Sequence, residues 1–431
     1  MPKDSCKTKG LYAFFGENPE EAHRQFFKPE PRMSRRGFFT GAGSVTAGSL
    51  LGMTVPFYAN MPHGLVPAAF AAEDVLVGKD GLTLLNDRPI NAETPAHLLD
   101  DAITPTARHF IRNNGLPPED VDAEGWTLAV DGLVENPGMY SIDDLRSGFE
   151  VTTMALTIEC GGNGRAFFDP PARGNQWTVG AVGCAEWTGV RLADVLKNAG
   201  VKPGVVYTAH YGADTHLSGK EDKQPISRGI PVAKAMTDTV LIAFAMNGGP
   251  LHRQNGAPLR LVVPGWPGSC SQKWLTRIQL RDVVHDGPKM TGTSYRVPRY
   301  PVAPGDKVPE EDLVIIERMP VKSLVTSPEH NSRAERKVEV RGHAWSGDRT
   351  VVAVDVTIDF GKTWMAAELD GPVNVGAWQN WRRTLSFPEA GYYEVWARAT
   401  DSAGEMQPFA IDWNPKGYLN NTMHRVSLRV A

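Results

Sequence analysis

Cysteine is scarce in this sequence: four in 431 residues, at positions 6, 160, 184 and 270. None lies in a Cys-x-x-Cys-His motif, so no c-type haem attached covalently to this chain is expected. Long apolar runs are missing too. Beyond the N-terminal region no segment approaches about 18 uninterrupted apolar residues, so no spanning helix is expected in the mature protein. Neither sign of charge dominates. The formal net charge is −4 with acids and bases interspersed, which argues against a dedicated nucleic-acid binder. No internal repeat or low-complexity tract is evident. What the chain has in quantity is loop chemistry: 33 prolines and 43 glycines beside 41% hydrophobic residues, the composition of a soluble, loop-rich globular protein. Its length predicts two domains with ample core.

Residues 1–71 read as a leader. Ser34-Arg35-Arg36-Gly37-Phe38-Phe39-Thr40 carries a twin arginine, a mildly apolar small-residue stretch follows, and Ala69-Phe70-Ala71 offers an Ala-x-Ala cleavage site. Pro56, Pro62 and Pro67 interrupt the run, so it predicts a Tat export signal and a periplasmic protein, with no membrane anchor. Met33 is a candidate start. Tat export carries proteins already folded, commonly around a cofactor. Loss of Cys6 with the leader leaves three thiols in an oxidising compartment, an odd count, so at least one is unpaired or metal-bound. Cys184 and Cys270 read as packed small side chains, with a disulfide between them left open.

After the leader, the stretch to Pro118 reads as an irregular surface segment. Trp126 to Val130 predicts a strand, and Ser141-Ile142-Asp143-Asp144-Leu145 a capped helix start with acids in its first turn. Trp187 to Leu196 predicts entry into a helix stopped by Gly200. Val205–Ala209, Val240–Phe244 and Leu259–Gly265 read as strands, and Ile230–Met236 as a short helix. The mixture predicts an α+β domain over 72–318. From about Pro320 the pattern changes to short alternating strands (Val338–Trp345, Val351–Phe360, Trp381–Phe387, Tyr392–Ala399, Val426–Val430), which predicts an immunoglobulin-like β-sandwich over 319–431.

The stretch with chemistry in it is Leu156-Thr157-Ile158-Glu159-Cys160-Gly161-Gly162-Asn163-Gly164-Arg165. A buried strand delivers one thiol to a turn whose glycines let backbone approach something bulky, and a neighbouring guanidinium biases the thiol towards thiolate. By itself, a lone cysteine before a loop is more often a packed structural residue. This segment, however, resembles the molybdenum-ligating turn of the sulfite oxidase family, Cys-x-Gly-Asn-x-Arg, and the resemblance continues in register over roughly residues 100–431. It implies a mixed α/β molybdopterin domain, a C-terminal dimerisation domain, and a molybdenum ion held by molybdopterin and by the Cys160 thiolate, a soft donor suited to that metal.

Other residues are assigned through the same resemblance. Phe110-Ile111-Arg112-Asn113-Asn114 resembles the family's Phe-x-Arg-Asn-His segment, with Asn114 in place of histidine. Arg112 and Arg165 align with its two substrate-side arginines, apt for a sulfite dianion because guanidinium offers a fixed fork of donors. Tyr295, in Gly292-Thr293-Ser294-Tyr295-Arg296, matches the active-site tyrosine, and Arg296 stands where the family often has Lys. Trp177 falls two residues short of the pocket tryptophan. Lys416, in Trp413-Asn414-Pro415-Lys416-Gly417-Tyr418, takes the place of an arginine reaching in from the C-terminal domain. For the pterin, Arg260 resembles the phosphate-binding arginine, Ser271-Gln272-Lys273 the cofactor strand and Asp214 the pterin-binding acid, while Asn255 replaces a histidine.

The activity implied is a periplasmic, haem-free sulfite dehydrogenase that oxidises sulfite to sulfate, passes electrons to an external c-type cytochrome and forms a homodimer. Two alternatives share the fold: the molybdenum subunit of a sulfane dehydrogenase acting on protein-bound sulfur, and a reductase running oxo transfer in reverse, against which the C-terminal sandwich argues. A non-catalytic exported binding protein is a reading of another class; it predicts no metal. A cysteine hydrolase would need a histidine base, and His210, His216 and His252 sit in no motif that supplies one.

Overall fold

The computed structural model describes residues 76–119 and 121–431; the leader, with its twin arginine and cleavage site, lies outside them. No described helix is long and apolar enough to cross a membrane. The described residues begin with a small antiparallel sheet, β1 (Thr83–Asp87), β2 (Ile90–Glu93) and β3 (Ile111–Arg112). The sequence reading expected an irregular wrap here. Instead Leu76, Leu82, Ala92 and Ile111 bury one another in a satellite core, which is enough to order three short strands.

The chain continues through β4 (Thr127–Gly132), β5 (Gly138–Ser141), α1 (Ile142–Gly148), β6 (Val151–Glu159), β7 (Val182–Arg191), α2 (Leu192–Ala199), β8 (Tyr207–Gly212) and β9 (Gly229–Pro231). Then come α3 (Val232–Ala235), β10 (Leu241–Met246), β11 (Gly249–Pro250), β12 (Arg260–Val262) and β13 (Leu275–Arg281). Two five-stranded sheets result, ordered β5-β4-β13-β8-β9 and β11-β10-β7-β6, with β12 added beside β10 in the second. Their apolar faces and the helices share one core that includes Leu128, Val130, Leu196, Ile242, Leu261 and Ile278.

Among the described residues strands dominate, and the three α-helices span 7, 8 and 4 residues. The α+β expectation therefore overstated the helices. The predicted helical entry from Trp187 is still strand through Arg191, because β7 is paired on both sides, to β6 and β10. Only from Leu192 does the helical spacing take over, burying Leu192, Val195, Leu196 and Ala199 before Gly200 closes the helix at φ 71°. The cap at Ser141 forms as expected: its Oγ accepts from Asp144 N at 3.0 Å and Asp144 accepts from Ser141 N at 2.8 Å.

A hairpin of β14 (Arg296–Pro298) and β15 (Leu313–Ile315) leads into nine strands: β16 (Lys322–Ser327), β17 (Ser332–Ala334), β18 (Lys337–Trp345), β19 (Val351–Thr357), β20 (Met365–Ala366), β21 (Glu368–Leu369), β22 (Gln379–Ser386), β23 (Gly391–Asp401) and β24 (His424–Val430). They form two sheets, β16-β18-β22-β21 and β17-β24-β23-β19-β20, whose inner residues share one core. Val340, Trp381 and Leu385 enter it from the first sheet and Val354, Val395 and Leu428 from the second.

One buried ion pair joins this C-terminal part to β6. Lys322 Nζ lies 2.5 Å from Glu159 Oε1, and Trp345 Nε1 donates to Glu159 Oε2 at 2.8 Å. Both charged side chains are nearly inaccessible, at 9% and 2% exposed. Lys322→Met leaves the Glu159 carboxylate without its cation, so about 3–5 kcal/mol of stability should be lost. Urea denaturation of the variant checks this; Glu159→Gln combined with Lys322→Met should recover much of the loss.

Candidate active site

Strand β6 is buried over its last five residues and ends at Glu159, delivering to a turn Cys160, itself only 6% exposed. Asn163 fastens that turn: its Nδ2 donates to Glu159 at 3.0 Å and its Oδ1 accepts from Ala181 N at 3.1 Å. Gly164 turns the chain at φ 90°, and a Cβ on Gly162 would lie 2.2 Å from the Arg165 guanidinium. The glycines are thus required by turn geometry and by the close approach of Arg165. A C-terminal loop is laced to the same turn: Leu419 N donates to Gly161 O at 3.0 Å, Asn420 Nδ2 to Gly164 O at 2.9 Å, and Arg165 Nε to Lys416 O at 2.7 Å.

Cys160, Arg112 and Tyr295 line two cavities at once. Into the first project Phe110, Asn114, Asp214, Asn255, Arg260, Ser271, Gln272 and Lys273, all expected from the sequence, together with His109, Ser269 and Trp274. Its cations are buried without matching acids. Burial lowers Arg260 to about 9 and pushes Lys273 well below the ordinary lysine value, with Arg260 adding to the latter effect. Behind them Lys79 donates to Asn255 Oδ1 at 2.5 Å and to the carbonyls of Thr106 and His109, and burial brings it down to about 7. Asp214 is the one carboxylate in the lining, raised by burial to about 6 against the pull of Lys273.

Several polar atoms here are buried with nothing to bond: Asp214 Oδ1, Gln272 Oε1, Ser269 Oγ and His109 Nε2. Buried polar groups are normally satisfied, so a ligand bearing both donors and acceptors, with an anionic end, is called for. Molybdopterin, with its fused polar rings and phosphate, has that character, and these residues fit it. Among the described residues no group of three His, Cys, Asp or Glu side chains is placed to hold a metal; the two cavities share one sulfur donor, Cys160, and other donors would come with the cofactor.

A pH dependence follows from Lys79. Its folded-state value near 7 lies below the usual 10.5, so between those two pH values the unfolded chain holds the extra proton and folding stability rises with pH. Protein stripped of cofactor should gain stability from pH 7 towards 10 by this contribution, and Lys79→Met should remove it. Denaturation midpoints at a series of pH values are the measurement.

The second cavity, about 280 Å³, is lined by Arg112, Arg165, Arg173, Lys416, Trp177, Tyr295 and Tyr418 with the 174–175 loop, and no carboxylate lines it. Arg112 Nη2 donates to Asn114 Oδ1 at 2.8 Å and to the Tyr295 hydroxyl at 3.3 Å, and Nη1 donates to Asn113 O. Burial works against the charge on Arg112, yet Tyr295, Cys160 and Tyr418 together hold its pKa above the ordinary value. Arg165 Nη1 donates to Asn175 O at 2.8 Å, and its guanidinium carbon sits 5.1 Å from the Tyr418 ring centroid. Trp177 is fully buried with its Nε1 unbonded. Four cations around a thiol with no acid among them make an anion pocket.

Three expected residues lie outside both cavities. The Arg296 guanidinium turns away to Met290 O at 2.8 Å and Leu313 O at 3.3 Å, because Tyr295 before it takes φ 52° and redirects the chain. Ile111 is fully buried in the satellite core, paired with Ala92, so its side chain supports β3 and does not face a cofactor. Asn113 is one layer back, where its Oδ1 accepts from Lys273 Nζ and its Nδ2 donates to Gln254 at 2.9 Å. Sequence reasoning missed Lys79, His109 and Arg173 as contributors, and Tyr418 although it lay inside a quoted motif. Lys79 and Arg173 sit in loops with no periodicity, so the sequence offered no local signal for them. Cys160, Cys184 and Cys270 are all free and buried, which settles the pairing left open for the last two.

Comparison with known proteins bears on the family of the chain. Residues 114–289 match the oxidoreductase molybdopterin binding domain, and residues 313–431 the Mo-co oxidoreductase dimerisation domain. The sulfite oxidase of Gallus gallus is 33% identical over 383 residues, covering 83% of this chain and 81% of that protein. The NAD(P)H nitrate reductase of Hordeum vulgare is 31% identical over 378 residues, 81% of this chain but 42% of that one. Among solved structures, the sulfane dehydrogenase SoxCD from Paracoccus pantotrophus superposes with a TM-score of 0.67 at 27% identity, covering 87% of this chain and 95% of that one.

Proposed function

This chain belongs to the sulfite oxidase family of molybdopterin oxidoreductases, and we propose that its own reaction is the oxidation of sulfite, SO₃²⁻ + H₂O → SO₄²⁻ + 2H⁺ + 2e⁻. The observation that carries the reading is the second cavity: four cationic side chains, no carboxylate, a volume suited to a small oxyanion, and Cys160 in its wall. The bound molybdenum–molybdopterin supplies oxygen-atom transfer and a two-electron sink. Cys160 would hold the metal; Lys273, Arg260 and Asp214, with Asn114, Asn255, Phe110, Ser271 and Gln272, would hold the pterin and its phosphate.

The side chains of the second cavity do the rest. Arg112 and Arg165, with Arg173 and Lys416, neutralise and orient the sulfite oxygens so that its sulfur lone pair faces the Cys160 side. Both main arginines are fixed by carbonyl or amide oxygens, so little reorganisation accompanies charge movement from sulfite to sulfate. The Tyr295 hydroxyl, next to Arg112 at the junction of the two cavities, is placed to relay outward a proton released as water is consumed. Trp177 walls the cavity against bulk water.

Export by the Tat route to the periplasm, delivery of the electrons to an external c-type cytochrome, and a homodimer built through an immunoglobulin-like domain at 319–431 belong to the same proposal. The twin-arginine leader, the lack of a Cys-x-x-Cys-His motif and the dimerisation-domain match support them in turn. Turnover of the metallated protein with sulfite and ferricyanide is the test, with nitrate as a control substrate. No sulfite turnover by fully metallated protein overturns the reading. The likeness to the SoxCD sulfane dehydrogenase favours protein-bound sulfane sulfur as the second reading, which activity on such a substrate in place of sulfite would establish.

A further inference from the structure

Tyr295 sits in a conformation that its own backbone does not favour. Its φ of 52° is uncommon outside glycine and asparagine, and such strain persists where the surroundings over-determine it. Two residues outside the substrate-neutralising set hold it. Tyr418 stacks on it with ring centroids 5.5 Å apart and planes 17° from parallel. Arg228 places its guanidinium carbon 4.9 Å from the Tyr295 ring centroid.

Arg228 is hard to explain otherwise. It is 1% exposed and makes no ion pair among the described residues. Its Nη1 donates to Lys289 O at 3.0 Å, its Nη2 lies 3.7 Å from Cys270 Sγ, and its Nε is unbonded. A cation buried this thinly is costly, and the face of the Tyr295 ring lies against it. Tyr418 is equally deliberate in its placement. Asn414 bonds both its N–H and its carbonyl at 3.0 Å, and the next residue, Leu419, is tied to Gly161 in the cysteine turn. Burial first, then Tyr295, raises the Tyr418 phenol to about 12. Centroid contacts thus run Arg165, Tyr418, Tyr295, Arg228, from the anion pocket to the core.

We propose that Tyr418 and Arg228 are positioning residues for Tyr295, gripping its ring so that its hydroxyl stays beside Arg112 where the two cavities meet. The proposal rests on the sulfite reading only for its assay. Tyr418→Leu and Arg228→Met are each expected to lower kcat with sulfite and ferricyanide roughly tenfold while KM moves less than about threefold, because the cations that bind sulfite remain. Tyr418→Phe keeps the ring and should recover most of the Tyr418→Leu loss. In a Tyr295→Phe background, where the hydroxyl is already gone, neither change should cost more than about twofold further.

A second readout needs no turnover: hydrogen exchange over residues 290–298, measured on each holoprotein, should be faster in Tyr418→Leu and in Arg228→Met than in wild type. Unchanged exchange there in both variants overturns the proposal, and so does a full tenfold loss in the Tyr295→Phe background. Faster exchange together with inactive wild-type protein would contradict the choice of substrate and leave the grip on Tyr295 supported.

Discussion

Cys160→Ser is expected to lower kcat with sulfite by roughly a thousandfold or more, about 4 kcal/mol of barrier. A serine oxygen is harder and far less acidic than a thiol, so it is a poor replacement for a soft donor to molybdenum. The substitution should leave the fold intact. The turn is held by Asn163, by the tie from Leu419 to Gly161 and by the glycine conformations, none of which uses the sulfur. Circular dichroism and urea midpoints should therefore match wild type while turnover is lost. A variant that retains more than a tenth of wild-type activity would show that the thiol is one of the packed cysteines, like Cys184 and Cys270.

Arg112→Gln is the second large effect. This residue belongs to both cavities, and its guanidinium bridges Asn114 and Tyr295 at 2.8 and 3.3 Å. Glutamine removes the charge and cannot span both partners, so kcat/KM for sulfite should fall by about 10²–10³, or roughly 3–4 kcal/mol. Both constants should suffer, KM because the dianion loses a buried partner and kcat because Tyr295 loses its neighbour. Arg112→Lys should rescue KM more than kcat, since an ammonium supplies charge without the fork. Steady-state kinetics of the two variants separate these contributions. Equal recovery of both constants by lysine would mean that charge alone matters at this position.

The cysteine turn was legible because its chemistry is contiguous: strand, thiol, glycines, asparagine and arginine follow one another in the chain, and each does its work locally. Five of the nine C-terminal strands, β18, β19, β22, β23 and β24, were legible for a similar reason, side-chain alternation over 7 to 11 positions, while the shorter ones beside them were not predicted. Residues that act at a distance were not. Lys79 reaches Asn255 across 176 positions, and the two meet where both bond the main chain of residues 106–110, just before β3. The small sheet around Ile111 was itself missed, since its strands of 5, 4 and 2 residues are too short to show a period.

Arg296 shows a different limit. A residue beside an active-site tyrosine is expected to share its pocket, but the positive φ at Tyr295 sends the next side chain to Met290 and Leu313. The helical spacing after Trp187 misled in its turn, because pairing on both edges of β7 carries the strand on through Arg191 before the helix begins. Tertiary pairing overrode local pattern there.

The account stands on a bond between the Cys160 sulfur and molybdenum, and X-ray absorption at the molybdenum edge counts sulfur donors directly. Cofactor-loaded wild-type protein should show one more sulfur at bonding distance than Cys160→Ser loaded in the same way. An identical sulfur count in the two proteins would contradict it.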